Sequence, residues 1–233
     1  MSVNRGYRVV VFDVDGTLVD SVPSIVWSMC QAAKECGAPV PSREAVLDII
    51  GITLRQAVGR LFPMCSEEEN DRITDMYRKL NAHREDTEPS PLFPGIREAL
   101  GRLRERGCAL AIATGKSRRG LERFFAFEGT RELVDFSVCG DQAPSKPDPG
   151  MLELVLSHFG LERSEILMVG DSSLDLRMAT NARVDAAGVT TGAHSPAILR
   201  RESPVFLEDS VVSLAERLLA EDCIMPLAAR RAG

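Results

Sequence analysis

Aromatic side chains make up only 5% of the 233 residues, with a single tryptophan. Stacking on exposed bases is therefore no theme of this chain. Positive charge is short as well: 28 Lys and Arg face 34 Asp and Glu, for a formal net charge of −6. A grip on nucleic-acid phosphates needs the opposite surplus, so nucleic acid is not an expected partner. An acidic chain handles an anionic substrate only where a metal or local cations offset its charge. Six cysteines (Cys30, Cys36, Cys65, Cys108, Cys139, Cys223) are scattered without a CxxC pair. That spacing fits reduced thiols and not a disulfide framework or a zinc site. No run reaches the roughly 20 apolar residues of a membrane span. The opening MSVNRGYR leads straight into an apolar strand without a signal-peptide core. No internal repeat or low-complexity tract is present. The expectation is a soluble, cytoplasmic protein with no membrane partner, working as a monomer or homodimer.

What is there is an ordinary globular composition, 44% hydrophobic and 27% charged, in a chain long enough for a sizeable core. Short apolar runs recur: RVVVF (8–12), CALAIA (108–113), FSVC (136–139), ILMVG (166–170) and a weaker VDAAGV (184–189). Each is unbroken by charge and followed by a turn, as expected for strands buried on both faces. Helical patterns over 95–107, 117–127, 149–160 and 173–182 separate the later ones. The pattern predicts an α/β fold, a parallel Rossmann-like sheet with helices on both faces. The stretch from about 20 to 90 breaks the rhythm with helical patterns alone, then Pro89, Pro91 and Pro94 stiffen the return. This predicts a small inserted all-α cap domain. The expected boundaries are 1–19 and 90–222 for the core, 20–89 for the cap and 223–233 for a C-terminal tail that frays from about Cys223.

Chemistry concentrates at strand ends, which in a parallel sheet border the usual ligand crevice. In VVVFDVDGTLVDS (9–21), Asp13 and Asp15 follow a strand, and period-two geometry sends both carboxylates to one side. Two close carboxylates repel, which favours a hard divalent cation between them. Gly16 permits a tight turn and Thr17 offers a hydroxyl to fix it. In IATGKS (112–117), Thr114 supplies a hydroxyl and Gly115 lets a backbone N–H approach an anion beside a helix N-terminus. SKPDP (145–149) sets Lys146 between rigid backbone, and MVGDSSLDL (168–176) puts Asp171 and Asp175 after Gly170 at an i, i+4 spacing. Each piece alone also has a plain structural reading: an Asp-Gly turn, a helix cap, a solvated lysine, acidic N-capping. Together they supply a carboxylate pair, a hydroxyl, a cation and further carboxylates, an inventory for metal-assisted phosphoryl transfer.

At this point the chain resembles the haloacid dehalogenase superfamily of phosphatases and phosphotransferases. The four motifs appear in order as Asp13-x-Asp15-Gly16-Thr17, Thr114, Lys146 and Gly170-Asp171-x-x-x-Asp175. The likeness covers nearly the whole chain, and FDVDGTLVDS, the helical cap and SKPDP look most like the phosphoglycolate phosphatase group. The resemblance implies an Mg2+-dependent phosphatase acting on a small phosphorylated metabolite. Asp13 would be the nucleophile, forming an aspartyl-phosphate. Asp15 would protonate the leaving oxygen and then activate water. The metal would be held by the Asp13 carboxylate, the Asp15 main-chain carbonyl and Asp171, supported by Asp175. Thr114, the Gly115 N–H and Lys146 would bind the phosphoryl oxygens, with Gly16 shaping the turn around them.

The cap segment IIGITLRQAV (49–58) carries Gly51, Thr53 and Arg55 where related enzymes have a specificity loop. Arg55 is the expected contact with the non-phosphate part of the substrate, with an exposed helix arginine as the plainer reading. His194 is expected to make a structural hydrogen bond, and Lys116 to add positive potential or face solvent. Asp15 weighs against a dehalogenase, which does not typically keep a second carboxylate. A sugar phosphomutase or a pyrophosphatase would share this active-site plan. A non-enzymatic binding protein on the fold would be expected to lose at least one of Asp13, Asp15, Lys146 or Asp171, and none is lost.

Overall fold

Strand β1, Val9–Phe12, is four apolar residues buried on both faces. In the computed structural model, which describes residues 6–128 and 130–227, it is the centre of a six-stranded sheet. The others are β2 (Ala109–Ala113), β3 (Phe136–Val138), β4 (Ile166–Gly170), β5 (Asp185–Val189) and β6 (Phe206–Glu208), in the spatial order β3-β2-β1-β4-β5-β6. Every pairing is parallel, so all the strands end on the same edge. The topology reverses beside β1, whose neighbours are β2 and β4. In open parallel sheets such a reversal borders the usual ligand site.

Two helical layers explain why the strand sequences are apolar without alternation. Val10, Phe12, Leu110, Ile112, Leu167 and Val169 pack against helices α5 (Ile96–Glu105), α6 (Arg118–Glu128) and α10 (Val211–Ala220). Val9, Val11, Ala109, Ala111, Ile166 and Met168 face the opposite way, against α7 (Gly150–Phe159), α8 (Ser173–Ala182) and α9 (Pro196–Arg201). Helix α5 shows how the layer is written: Ile96, Ala99, Leu100 and Leu103 recur at helical spacing and are all buried. Burial of each such leucine contributes about 1.5–3 kcal/mol.

Helices α1 (Val22–Glu35), α2 (Arg43–Leu47), α3 (Leu54–Leu61) and α4 (Glu67–Thr87) intervene between β1 and α5, with no strand among them. They share an apolar cluster built on Met29, Val46, Val58, Phe62 and Ile73, into which the core contributes Leu174. Helix α4 starts at a capping box, in which Ser66 and Glu69 satisfy each other's backbone N–H. The two connections to the core run side by side: the Asp20 N–H donates to the Pro91 carbonyl at 2.9 Å and the Phe93 N–H to that of Leu18 at 3.0 Å.

Two features depart from the expected pattern. Strand β6 and helices α9 and α10 extend the core beyond the five strands anticipated. The segment from Cys223 does not fray where it is described: Cys223 and Ile224 are buried, and Ile224 bridges Tyr7. The Leu227 N–H donates to the Gly107 carbonyl at 2.8 Å, while residues 228–233 lie outside the described residues. Among the described residues no helix is long and apolar enough to cross a membrane.

Candidate active site

The ends of β1, β2 and β4, with the loop before α7, bring four ionisable side chains and a hydroxyl together. Asp13 continues the ladder past β1, its N–H donating to the Val169 carbonyl at 3.0 Å. Asp171 follows β4, and Asp175 sits one turn into α8. Carboxylate oxygens of Asp13, Asp171 and Asp175 all lie within 4.8 Å of one another. Lys146 is buried among them instead of lying in solvent, its Nζ 2.6 Å from Asp175 Oδ1 and 3.0 Å from Asp13 Oδ1. Thr114, at the end of β2, is fully buried, and its Oγ1 accepts the Lys116 N–H at 3.3 Å.

Three acids against one base in a dry site leave their mark on protonation. Burial pushes the Asp13 carboxyl well above the ordinary carboxylate range. The neighbouring Asp175 and Asp15 add to the rise, and Lys146 only partly opposes it. Asp171 is raised for the same reason, with the Asp175 and Asp13 charges adding to burial. The Ala193 N–H and the Thr17 hydroxyl, each 2.7 Å from the Asp171 carboxylate, pull the other way. Burial works against the Lys146 ammonium too, but Asp13 and Asp175 more than offset it and its pKa is raised. Asp13 Oδ1 accepts no hydrogen bond, although Lys146 lies beside it. A buried all-carboxylate group with an oxygen lacking a donor is a fitting site for a hard divalent cation.

Asp15 lies close enough to Asp13 for its charge to help raise the Asp13 carboxyl. Strand β1 stops at Phe12, and a turn follows in which the Gly16 N–H donates to the Val19 carbonyl and the Leu18 N–H to that of Val14. The Asp15 carboxylate has partners of its own, accepting from Ser21 Oγ at 2.6 Å and pairing with Lys116 Nζ at 2.7 Å. Its carboxylate is not one of the clustered metal-ligand candidates, which are Asp13, Asp171 and Asp175. Gly16 has φ of 77°, and a Cβ there would run into the Asp171 carboxylate, so glycine is required twice over.

Asp175 makes the helix cap that its plainer reading expected, and it also holds a lysine. Its Oδ2 accepts from the Ser172 hydroxyl at 2.6 Å and the Ser172 N–H at 3.2 Å, closing a capping box on α8, while Oδ1 holds Lys146. The capping box leaves the helix start rigid beneath the metal-ligand candidates.

Over this edge lies the loop between α2 and α3. A Cβ on Gly115 would meet the Gly51 carbonyl oxygen at 2.5 Å and that of Ile52 at 2.7 Å. The Thr53 N–H donates to Ser145 Oγ, one residue from Lys146, at 2.9 Å. Gly115 thus makes room for the helical unit, beyond the anion approach expected of it. Arg55 fits the plainer of its two readings, an exposed helix arginine: its side chain is 64% exposed and pairs with Glu67 at 2.8 Å and Asp71 at 2.9 Å. Both partners begin α4, so Arg55 is drawn along the helical unit and not over the strand ends. His194 makes its expected structural hydrogen bond, Nδ1 accepting the Ser173 N–H at 2.9 Å.

Sequence reasoning did not single out Ser21, Ser172, Thr191 or Ala193. Ser172 had a usable signal, a serine three residues before an acid at a helix start. Thr191 and Ala193 reach the site only through the fold, Thr191 Oγ1 donating to the Gly16 carbonyl at 2.7 Å.

Comparison with known proteins points the same way. A family model described as haloacid dehalogenase-like hydrolase matches residues 10–189. Over 218 residues the chain is 34% identical to the Dickeya dadantii protein named "Probable phosphatase IndB", covering 90% of this chain and 94% of that one. It is 30% identical over 216 residues to a phosphoglycolate phosphatase of Vibrio parahaemolyticus, covering 90% and 95%. The crystal structure of a predicted phosphoglycolate phosphatase from Haemophilus somnus superposes with a TM-score of 0.80 at 25% identity, covering 91% of this chain and 97% of that one.

Proposed function

Because this chain belongs to the haloacid dehalogenase-like hydrolase family, we propose that it is an Mg2+-dependent phosphatase that hydrolyses a small phosphomonoester of the phosphoglycolate kind. The observation that carries this reading is the buried group at the strand ends, three carboxylates gathered around one lysine. A phosphoryl group is anionic, so a site this acidic accepts it only with added positive charge. Mg2+ held by Asp13 and Asp171, with Asp175 behind them, would supply that charge to the phosphoryl oxygens. The relatives named as phosphatases, matched along nearly their full length, support the reaction class.

In this reading Asp13 attacks phosphorus through its carboxylate oxygen. An O–P bond forms to Asp13 as the ester O–P bond breaks. Lys146, already beside Asp13, offsets the charge that builds on the transferring group, and the Thr114 hydroxyl and Gly115 N–H orient it. The departing oxygen takes a proton from Asp15. To give it, Asp15 takes up a proton from solvent as it leaves Ser21 and Lys116 for the substrate oxygen. The same carboxylate then takes a proton from water as the water oxygen attacks the aspartyl-phosphate, releasing inorganic phosphate and restoring Asp13. The six cysteines are all unpaired, which fits a reducing, cytoplasmic setting.

The experiment is phosphate release from a panel of small phosphomonoesters, 2-phosphoglycolate among them, with Mg2+ and with excess chelator. Acid quenching during turnover should trap phosphate on Asp13, and the label should be absent from Asp13→Asn. Turnover undiminished by chelator, or by the Asp13 substitution, ends this proposal. Phosphate passed to a second sugar instead of to water would mark a mutase.

A further inference from the structure

The loop after β5 touches both the site and the helical unit. Thr191 holds the Gly16 carbonyl, and the Ala193 N–H donates to Asp171 Oδ2 at 2.7 Å. The His194 N–H donates to the Asp171 carbonyl at 3.2 Å. The His194 ring accepts the Ser173 N–H at Nδ1, so the neutral ring carries its proton on Nε2. That Nε2 is buried and has no hydrogen-bond partner. It lies 3.5 Å from Oδ1 of Asp48, the residue that ends helix α2. This is just beyond a good N–H···O distance. Beside it, Ala193 packs with Val22 and Ile50 of the helical unit. One short loop of the core therefore carries Asp171 on one side and receives the helical unit on the other.

We propose that His194 is a positioning residue, which couples closure of the helical unit, through Asp48, to the orientation of Asp171. The ring is pinned at Nδ1 and through its own backbone, so only Nε2 is open to a partner. A buried donor without an acceptor is costly, and the Asp48 carboxylate is the acceptor within reach. Asp48 is 72% exposed, so its carboxylate is free to close the remaining few tenths of an ångström as the unit settles. A bond made there loads the 191–194 loop, whose polar contacts include the Asp171 main chain and carboxylate, the Gly16 carbonyl and the Ser173 N–H. The helical unit would in this way report its closure to a metal-ligand candidate that it does not touch by hydrogen bond.

The proposal rests on the phosphatase reading for its kinetic arm only. The variants are Asp48→Ala, Asp48→Asn, His194→Asn and the pair Asp48→Ala with His194→Asn. Asparagine at 194 keeps an oxygen able to accept the Ser173 N–H but cannot reach Asp48. Mg2+-dependent hydrolysis of p-nitrophenyl phosphate gives kcat and KM. Hydrogen exchange at residues 18–21 and 88–93, with magnesium chloride and orthovanadate added, reads closure without turnover. Asp48→Ala and His194→Asn should each lower kcat about five- to tenfold with little change in KM, and the double variant should lose no more than the worse single. Asp48→Asn, which keeps an acceptor, should lose less than Asp48→Ala. Vanadate-induced protection of the two connections should disappear in Asp48→Ala. Unchanged kcat and protection in Asp48→Ala, or losses that multiply in the double variant, would overturn the proposal. Should His194→Asn fail to fold, the two Asp48 variants decide alone. A wild-type protein that releases phosphate from no ester sinks the phosphatase reading, and loss of linker protection in Asp48→Ala would still support the coupling.

Discussion

The α/β core and the four-helix unit hold their polar groups in opposite ways. At the strand ends Asp13, Lys146, Asp171 and Asp175 are at most 1% exposed and grip one another. In the helical unit the charges around Arg55 stay outside, with Glu67 85% exposed and Asp71 49%. What this unit presses on the strand end at Gly115 is main chain, the Gly51 and Ile52 carbonyls. A buried charge cluster fixes which chemistry is possible, because each member is costly without the others. A backbone contact fixes distance and excludes water while leaving side chains free to vary. The difference assigns reactivity to the core and access to the helical unit, and substitutions on the two sides should behave differently.

The largest effect is expected from the core. Lys146→Met keeps the volume and removes the cation that pairs with both Asp13 and Asp175. We expect turnover to fall by about 10³-fold or more, the scale of a lost transition-state charge contact. Two buried carboxylates are left uncompensated, so the metal-free fold should lose about 3 kcal/mol in urea denaturation. A variant as stable and active as the parent would show that the cluster does not depend on its lysine.

Gly115→Ala should act through the other half. The added methyl has no room against the Gly51 and Ile52 carbonyls, which are backbone and cannot swing aside. We expect stability within about 1 kcal/mol of wild type but a loss of about 10- to 100-fold in kcat/KM from imperfect closure. Equal damage to stability and activity would mean that the contact is a core packing feature.

The same contrast explains how much was legible in the sequence. Strands β1, β2 and β4 were readable because both faces are covered, which writes an unbroken apolar run. Three of the four motifs were readable because each follows such a run, while Lys146 stands in the loop before α7 with only its proline setting to mark it. Strand β6 is three residues long, too short for any periodicity. The partners of Asp15, Ser21 and Lys116, were not readable, because β1 ends at Phe12 and a turn, not strand alternation, decides what Asp15 meets. The hand-over from core to helical unit was invisible for a further reason. It depends on Gly51 meeting Gly115 and Asp48 meeting His194, pairs remote in sequence with no local signature.

A metal-dependent pH response should follow from the core alone. Burial and mutual repulsion raise the folded-state pKa values of Asp13 and Asp171 above the ordinary carboxylate range. The folded metal-free protein then binds more protons than the unfolded chain, so its stability must fall as pH rises. The decline should begin near pH ~4, the unfolded carboxylate value, and continue towards neutrality. Lys146, also raised, does not contribute in this window, because the unfolded lysine stays protonated there too. Thermal denaturation in chelator should give a Tm that drops by several degrees across the range, and Mg2+ should flatten the curve. A metal-free Tm that rises over the same range would mean that the three carboxylates are not buried together.

The smallest effect is expected at Arg55, and it sharpens the comparison most because sequence position alone argued the reverse. A cap-loop arginine over an anionic substrate would raise KM when removed. In the structure the guanidinium already has two carboxylate partners, Glu67 and Asp71, at the start of α4. To reach a substrate it would have to leave both, and it would face a site whose phosphate end has Lys146 in place. Its two ion pairs are exposed, so their loss should cost no more than about 0.5–1 kcal/mol, screened further by salt. We therefore expect Arg55→Ala to leave kcat and KM within about twofold of wild type for phosphoglycolate and p-nitrophenyl phosphate alike, with a Tm lowered by a few degrees at most. A KM increase confined to the carboxylate-bearing ester would show that Arg55 abandons α4 when substrate binds. The helical unit would then contribute charge as well as closure, and the division between the two halves would fail at this residue.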